Sequence, residues 1–196
     1  VNAVDSRGVL RVTVRHANAD ASTSEVCCIS GTGLAVATSG VLGTFTVTAR
    51  DAFGNRVLSN DGELNSTVAL NGTEASMDVS VVAGGADGVY ALQYTVTRSG
   101  VYLLVVTGFG GELPGSPFAV SVMPSIVDAV ASVASGSGLS VSTAGSQGRI
   151  SVSARDRYGN PKSQGGGVFN VSVEHVGGGS IGWVGVMEDD GDGEYS

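Results

Sequence analysis

Charge is scarce in this chain, and positive charge scarcer still. Only 14% of the 196 residues are charged, Lys+Arg number 10 against 18 Asp+Glu, and Lys162 is the one lysine. A net charge of −8 with no basic cluster argues against nucleic acid as a partner, because phosphates need gathered Lys and Arg. Long apolar runs are missing as well. None approaches the roughly 18 residues of a spanning helix, so no membrane-spanning segment is expected, and the opening residues do not read as a signal peptide. The Leu, Ala, Glu and Lys that build helical bundles give way to Val, Thr and Gly. Glycine, at 31 residues, shows no three-residue period, which excludes collagen. Hydrophobic residues at 42% exclude disorder. What remains is an all-β chain.

Strand-type alternation recurs at short intervals. Phe45-Thr46-Val47-Thr48-Ala49-Arg50, Met77-Asp78-Val79-Ser80-Val81, Tyr90-Ala91-Leu92-Gln93-Tyr94 and Phe118-Ala119-Val120-Ser121-Val122 each place apolar side chains on one face. The breaks between them carry Asn-Gly, Asp-Gly and Ser-Gly, whose residues tolerate positive φ. Strands separated by such turns predict a sandwich.

Self-comparison is more telling. Ser30-Gly31-Thr32-Gly33-Leu34 returns as Ser135-Gly136-Ser137-Gly138-Leu139. Arg50-Asp51-Ala52-Phe53-Gly54-Asn55 returns as Arg155-Asp156-Arg157-Tyr158-Gly159-Asn160, and Asp87-Gly88-Val89-Tyr90 as Asp192-Gly193-Glu194-Tyr195. All three pairs lie 105 residues apart (135 − 30, 155 − 50, 192 − 87). A unit of that length suits a seven-strand immunoglobulin-like sandwich.

The ordered blocks Gly-x-Gly-Leu, Phe-x-Val-x-Ala-Arg-Asp-x-Phe-Gly-Asn, Asp-Gly-x-Tyr, Ser-Gly-x-Tyr and Gly115-Ser116-Pro117-Phe118 resemble the filamin-type immunoglobulin-like repeat (filamin/ABP280 repeat family). The resemblance implies tandem filamin-type β-sandwiches with seven strands per repeat, the second repeat truncated. It sets strand A at 26–37, B at 44–50, C at 67–71, D at 77–82, E at 89–97, F at 101–107 and G at 117–122. Residues 1–23 are then the last strand of a preceding repeat plus a linker, and 24–122 a complete repeat. A short linker follows at 123–125, and 126–196 form strands A–D and the start of E of a second repeat. That second copy is expected to belong to a longer array or to be completed by strands from another molecule. The Pro-containing linker is expected to be stiff, and the polar stretch 15–25 a looser hinge. Phe45, Val47, Leu92, Tyr94, Val105 and Phe118 are the expected core.

Catalytic chemistry has little to work with, and no enzyme, cofactor or metal is expected. His16 and His175 lie near no nucleophile motif. Cys27-Cys28 has no zinc spacing; neighbours in a strand face opposite ways, so either one is buried and one exposed, or they pair elsewhere. The run Glu188-Asp189-Asp190-Gly191-Asp192-Gly193-Glu194 invites a calcium reading, yet the sequence stops before the twelfth position where a hand-type loop has its Glu, and the repeat makes the run an acidic turn. Asp51 and Asp156, with Asn55 and Asn160, are read as structural turns in which the carboxylate accepts backbone N–H groups.

Sequons at Asn65, Asn71 and Asn170 are possible N-glycosylation sites. The family resemblance also implies a partner-strand groove between strands C and D, with Val68, Leu70, Met77 and Val79 as its candidates. Protein partners and neighbouring repeats of a longer chain are the expected company, possibly by strand addition at that C–D edge. The function read from the sequence is a non-catalytic spacer and scaffold for protein partners. The alternatives are a cell-surface adhesion protein, like gamete-surface adhesins with filamin repeats, and accessory domains of a larger enzyme. Cytoplasmic or cytoskeletal and cell-surface locations stand about even.

Overall fold

A computed structural model describes residues 3–4, 10–11, 14–27, 33–58, 64–70, 73–78, 80–84, 87–175, 177 and 183–196. The chain divides into two compact units. The first comprises Val1–Ala37, Leu42–Thr95 and Val101–Val120; the second comprises Thr38–Val41, Val96–Gly100 and Ser121–Ser196.

Short strands β1 (Ala3–Val4) and β2 (Leu10–Arg11) pair antiparallel at the start. There follow β3 (Glu25–Cys27), β4 (Val36–Thr38), β5 (Leu42–Thr48), β6 (Leu64–Leu70), β7 (Thr73–Asp78), β8 (Ser80–Gly84), β9 (Val89–Thr95), β10 (Gly100–Gly108), β11 (Gly111–Glu112) and β12 (Phe118–Met123). They form two sheets, ordered β3-β5-β9-β8 and β4-β12-β10-β6-β7, with β11 beside β10. This is the all-β immunoglobulin-like sandwich. Phe45 and Val47 of β5, Leu92 and Tyr94 of β9, Leu104 and Val106 of β10, and Val120 and Val122 of β12 fill the space between the sheets. Period-two alternation puts them there, and removing that apolar area from water holds the sheets together.

Two expected core residues fall elsewhere. Val105 is only half-buried, because β10 presents Tyr102, Leu104 and Val106 inward and odd positions face the other way. Phe118, at the first position of β12, is half-buried at the rim of the face that Val120 and Val122 complete.

Two expected single strands are each divided between sheets. Strand A becomes β3, paired with β5, and β4, in the β12 sheet. Strand D becomes β7, paired with β6, and β8, paired with β9. Gly33, in the stretch joining β3 to β4, explains the repeated Gly-x-Gly-Leu block. A Cβ there would stand 2.4 Å from the Thr44 carbonyl oxygen, and Tyr94 donates its hydroxyl to the Gly33 carbonyl at 2.6 Å. Gly138, its counterpart, lies against the Arg149 carbonyl in the same way, and its N–H donates there at 2.9 Å.

The second unit repeats the beginning of this plan. Strands β13 (Val133–Ser135), β14 (Ser151–Ser153) and β17 (Glu194–Tyr195) make one small sheet, and β15 (Asn170–Val173) pairs with β16 (Trp183–Val186). Between β13 and β14 lies a single 3-10 turn at Ser137–Leu139. Val152, Ala154 and Tyr195 form its buried core, with Val127, Phe169 and Met187 packed around them. The Phe169 and Tyr195 rings meet edge to face at 4.7 Å.

Candidate functional site

The repeated hexapeptide builds the same object in both units. Asp51 is buried at the end of strand pair β5–β9, and its Oδ1 accepts the N–H groups of Phe53 at 3.0 Å and Asn55 at 2.9 Å. Its Oδ2 accepts the Asn55 side-chain amide at 3.1 Å and the Ala17 N–H at 2.9 Å. Gly54, at φ +81°, supplies the left-handed step that closes the turn, and Arg50 donates to the Gly54 carbonyl. Burial works to raise the Asp51 carboxyl. The N–H of Ala17 and the side-chain and backbone groups of Asn55 and Phe53 outweigh it and bring the pKa down to about 2.

Asp156 repeats each of these bonds. Oδ1 accepts Tyr158 N–H at 2.9 Å and Asn160 N–H at 3.0 Å, and Oδ2 accepts the Asn160 amide at 2.8 Å and Ser125 N–H at 2.9 Å. The second unit adds more. The Ser39 hydroxyl donates to Oδ2 at 2.5 Å, the Asn160 amide donates to the Thr97 carbonyl at 2.7 Å, and the Asn160 Oδ1 accepts Ser99 N–H at 2.9 Å. Burial again works upward on the Asp156 carboxyl, and the Asn160 and Ser39 side chains with the Ser125 and Asn160 N–H groups bring it to about 2.

Each turn is joined to the stretch that leads into its repeat, which corrects the expectation of a loose hinge at 15–25. Asp20 donates its N–H to the Arg50 carbonyl, Ser24 bonds to the Asp20 carbonyl through N–H and hydroxyl, and the Arg50 N–H donates to the Ser24 hydroxyl. Asp128, Ser132 and Arg155 reproduce the set. The sequence signal was Asp-Ala-x-x-Ser at 20–24 and again at 128–132. It recurs at a spacing of 108 (128 − 20), outside the 105 period that the other blocks share.

Among the described residues the other candidates are not gathered into a site. Of the candidates for a C–D groove, Val68 pairs with Met77 and Leu104, and Leu70 with Thr73 and Tyr102, so β6 has a neighbour on both sides. Side-chain placement of Val68, Leu70 and Met77, and Val79 altogether, lie outside the described residues. Asn65 pairs with Thr107 within the sheet, Asn170 is exposed at the start of β15, and Asn71 lies outside the described residues. Cys28 lies outside them too, as does the Cys27 side chain. His16 bonds to its neighbour Ala17, and His175 accepts the Gly177 N–H. In the acidic run, Asp189 accepts the N–H groups of Gly166 and Gly191, and Asp192 that of Glu194. Among the described residues no three His, Cys, Asp or Glu are grouped to hold a metal ion.

Solved structures share the architecture. FdeC, an Escherichia coli adhesin, matches at a TM-score of 0.60 with 22% identity, over 94% of this chain and 57% of that one. Invasin, a bacterial integrin-binding protein, matches at 0.57 with 19% identity, over 84% of this chain and 32% of that one. The chain thus spans little more than half of the first and a third of the second. The filamin domain of Lin-41 matches over 54% of this chain and 97% of its own, at 21% identity and a TM-score of 0.46. No curated protein matches the chain. The sequence model of the filamin/ABP280 repeat matches residues 6–119, well over half of the chain. With the sandwich and its twice-built turn, that match places the chain in the filamin/ABP280 repeat family.

Proposed function

We propose that the chain is a non-catalytic spacer and protein-interaction module, a segment of a tandem filamin-like array. The observation that carries this reading is the buried Asp turn, built twice with the same bonds and each time joined to its own leading segment. A spacer must keep each repeat from yielding piecemeal under load, and many charge-assisted bonds to one buried carboxylate serve that end. Single-molecule pulling tests it. The first repeat should release in one cooperative event of about 340 Å, from ~100 residues at ~3.4 Å each. Gradual yielding at low force overturns the reading.

A partner strand, in this reading, adds at β7 and not at β6, because β6 is hydrogen-bonded on both sides whereas β7 ends its sheet among the described residues. A second reading, adhesion at a cell surface, is favoured by the likeness to the FdeC adhesin and to integrin-binding invasin. Mass spectrometry of the protein from its own cells should then find sugar on Asn65, Asn71 or Asn170. Unmodified asparagine at all three supports the intracellular scaffold.

A further inference from the structure

The two Asp turns differ in what lies against them. In the second unit, Asn160 bonds to Thr97 and Ser99, and Asp156 to Ser39. Gly40 sits on the Tyr158 ring so closely that a Cβ would overlap the phenol oxygen. All four partners belong to two turns of that unit, Thr38–Val41 and Val96–Gly100. Counting back 105 residues, the corresponding groups of the first unit are Asn55, Asp51 and Phe53.

There the same chemistry stands open. Asn55 is exposed, and among the described residues its side chain bonds to Asp51 alone, whereas Asn160 is 6% exposed. Phe53 is 83% exposed against 37% for Tyr158. Beside Asn55 a cleft of about 620 Å³ opens between Val14, Arg15, His16, Arg56 and Leu58. An exposed phenylalanine next to an amide with a free donor and acceptor is a poor arrangement for water and a good one for a second surface.

We propose that turn 51–55 is a docking surface for the end of a further filamin-type repeat. The occupant presents two turns: one with a hydroxyl where Ser39 stands and a glycine where Gly40 stands, the other with a carbonyl and an N–H two residues apart, as at Thr97 and Ser99. A primary amide satisfies that last pair at once, donating to the carbonyl and accepting from the N–H. The small residue leaves room for the Phe53 ring. This proposal rests on the array reading and gives the junction its chemistry.

The test joins an added copy of residues 14–124 ahead of Ala17 of the natural chain and follows side-chain amide exchange by NMR. In the natural chain Asn160 should exchange slowly and Asn55 fast. In the extended chain Asn55 of the original copy should slow by about tenfold, as one net hydrogen bond allows. Ser39→Ala in the added copy alone should weaken that protection. Unchanged Asn55 exchange beside a well-dispersed spectrum of the added copy overturns the docking surface, while the pulling record still stands or falls separately. Should the added copy not fold, the natural chain decides. Asn55 already as slow as Asn160, or equal losses of stability from Asn55→Ala and Asn160→Ala, overturns the proposal. A clear excess for Asn160→Ala sustains it.

Discussion

Turns 51–55 and 156–160 share Asp, Gly and Asn and one internal geometry, yet Asn55 is exposed and Asn160 is buried. Gly54 and Gly159 share φ near +80°, and both aspartates are buried. They differ at Ala52 against Arg157 and Phe53 against Tyr158, and in what surrounds the amide and the ring one residue on either side of that glycine. The bonds inside each turn are local, whereas the Asn160 amide is enclosed by Thr97 and Ser99, and the Tyr158 ring is covered in part by Arg157, where the first turn has Ala52. Comparing the copies separates those two contributions in a single molecule.

The largest expected effect tests whether the cores differ as the turns do. Phe45 is fully buried, and Phe45→Ala should cost about 3–5 kcal/mol in denaturant titration. Its counterpart Ile150 is half-buried, and Ile150→Ala should cost only ~1–2 kcal/mol. Equal losses would mean that the second unit is as well packed as the first. Next in size come the amides. Asn160→Ala strands the Thr97 carbonyl and Ser99 N–H and should cost about 1–3 kcal/mol, against ~0.5–1 kcal/mol for Asn55→Ala.

Acid should treat the two turns alike. Both carboxyls fall from 3.8 to about 2 on folding, so their contribution is complete above the unfolded value and is lost as pH falls toward 2. Asp51→Asn and Asp156→Asn should each flatten the fall of stability between pH ~4 and ~2, where these carboxyls take up their protons. A profile unchanged by either substitution would mean that the carboxyls carry no linked stability. The smallest effect belongs to Phe53→Ala, within ~0.5 kcal/mol for so exposed a ring, measured in the unextended chain.

Much of this was legible in the sequence because it is local. Alternation in 45–50 and 90–94 places Phe45, Val47, Leu92 and Tyr94 inward, and the 105-residue period exposes the hexapeptide. The phase of β10 was not legible. Gly100-Val101-Tyr102-Leu103-Leu104-Val105-Val106 is apolar at nearly every position, so alternation gives no preference, and only pairing with β6 selects the even residues. The crossing of strands A and D between sheets was hidden for a similar reason. Nothing in a run such as 73–84 states where its hydrogen bonds change partner. The docking surface is visible only by comparing two folded copies, since both read alike as sequence.

The ties from Asp20 and Ser24 to Arg50, and from Asp128 and Ser132 to Arg155, bear on how such a chain changes length over generations. Each leading segment is hydrogen-bonded to the repeat that follows it. A duplication or deletion with breakpoints just ahead of Ala17 and Ser125 therefore moves leader, turn and sandwich as one inheritable block. The bonds made by turns 38–41 and 96–100 are then the ones that a new neighbour has to supply. A block cut there is 108 residues long (125 − 17), so the 105-residue offset of the three other blocks needs a change of three residues within it.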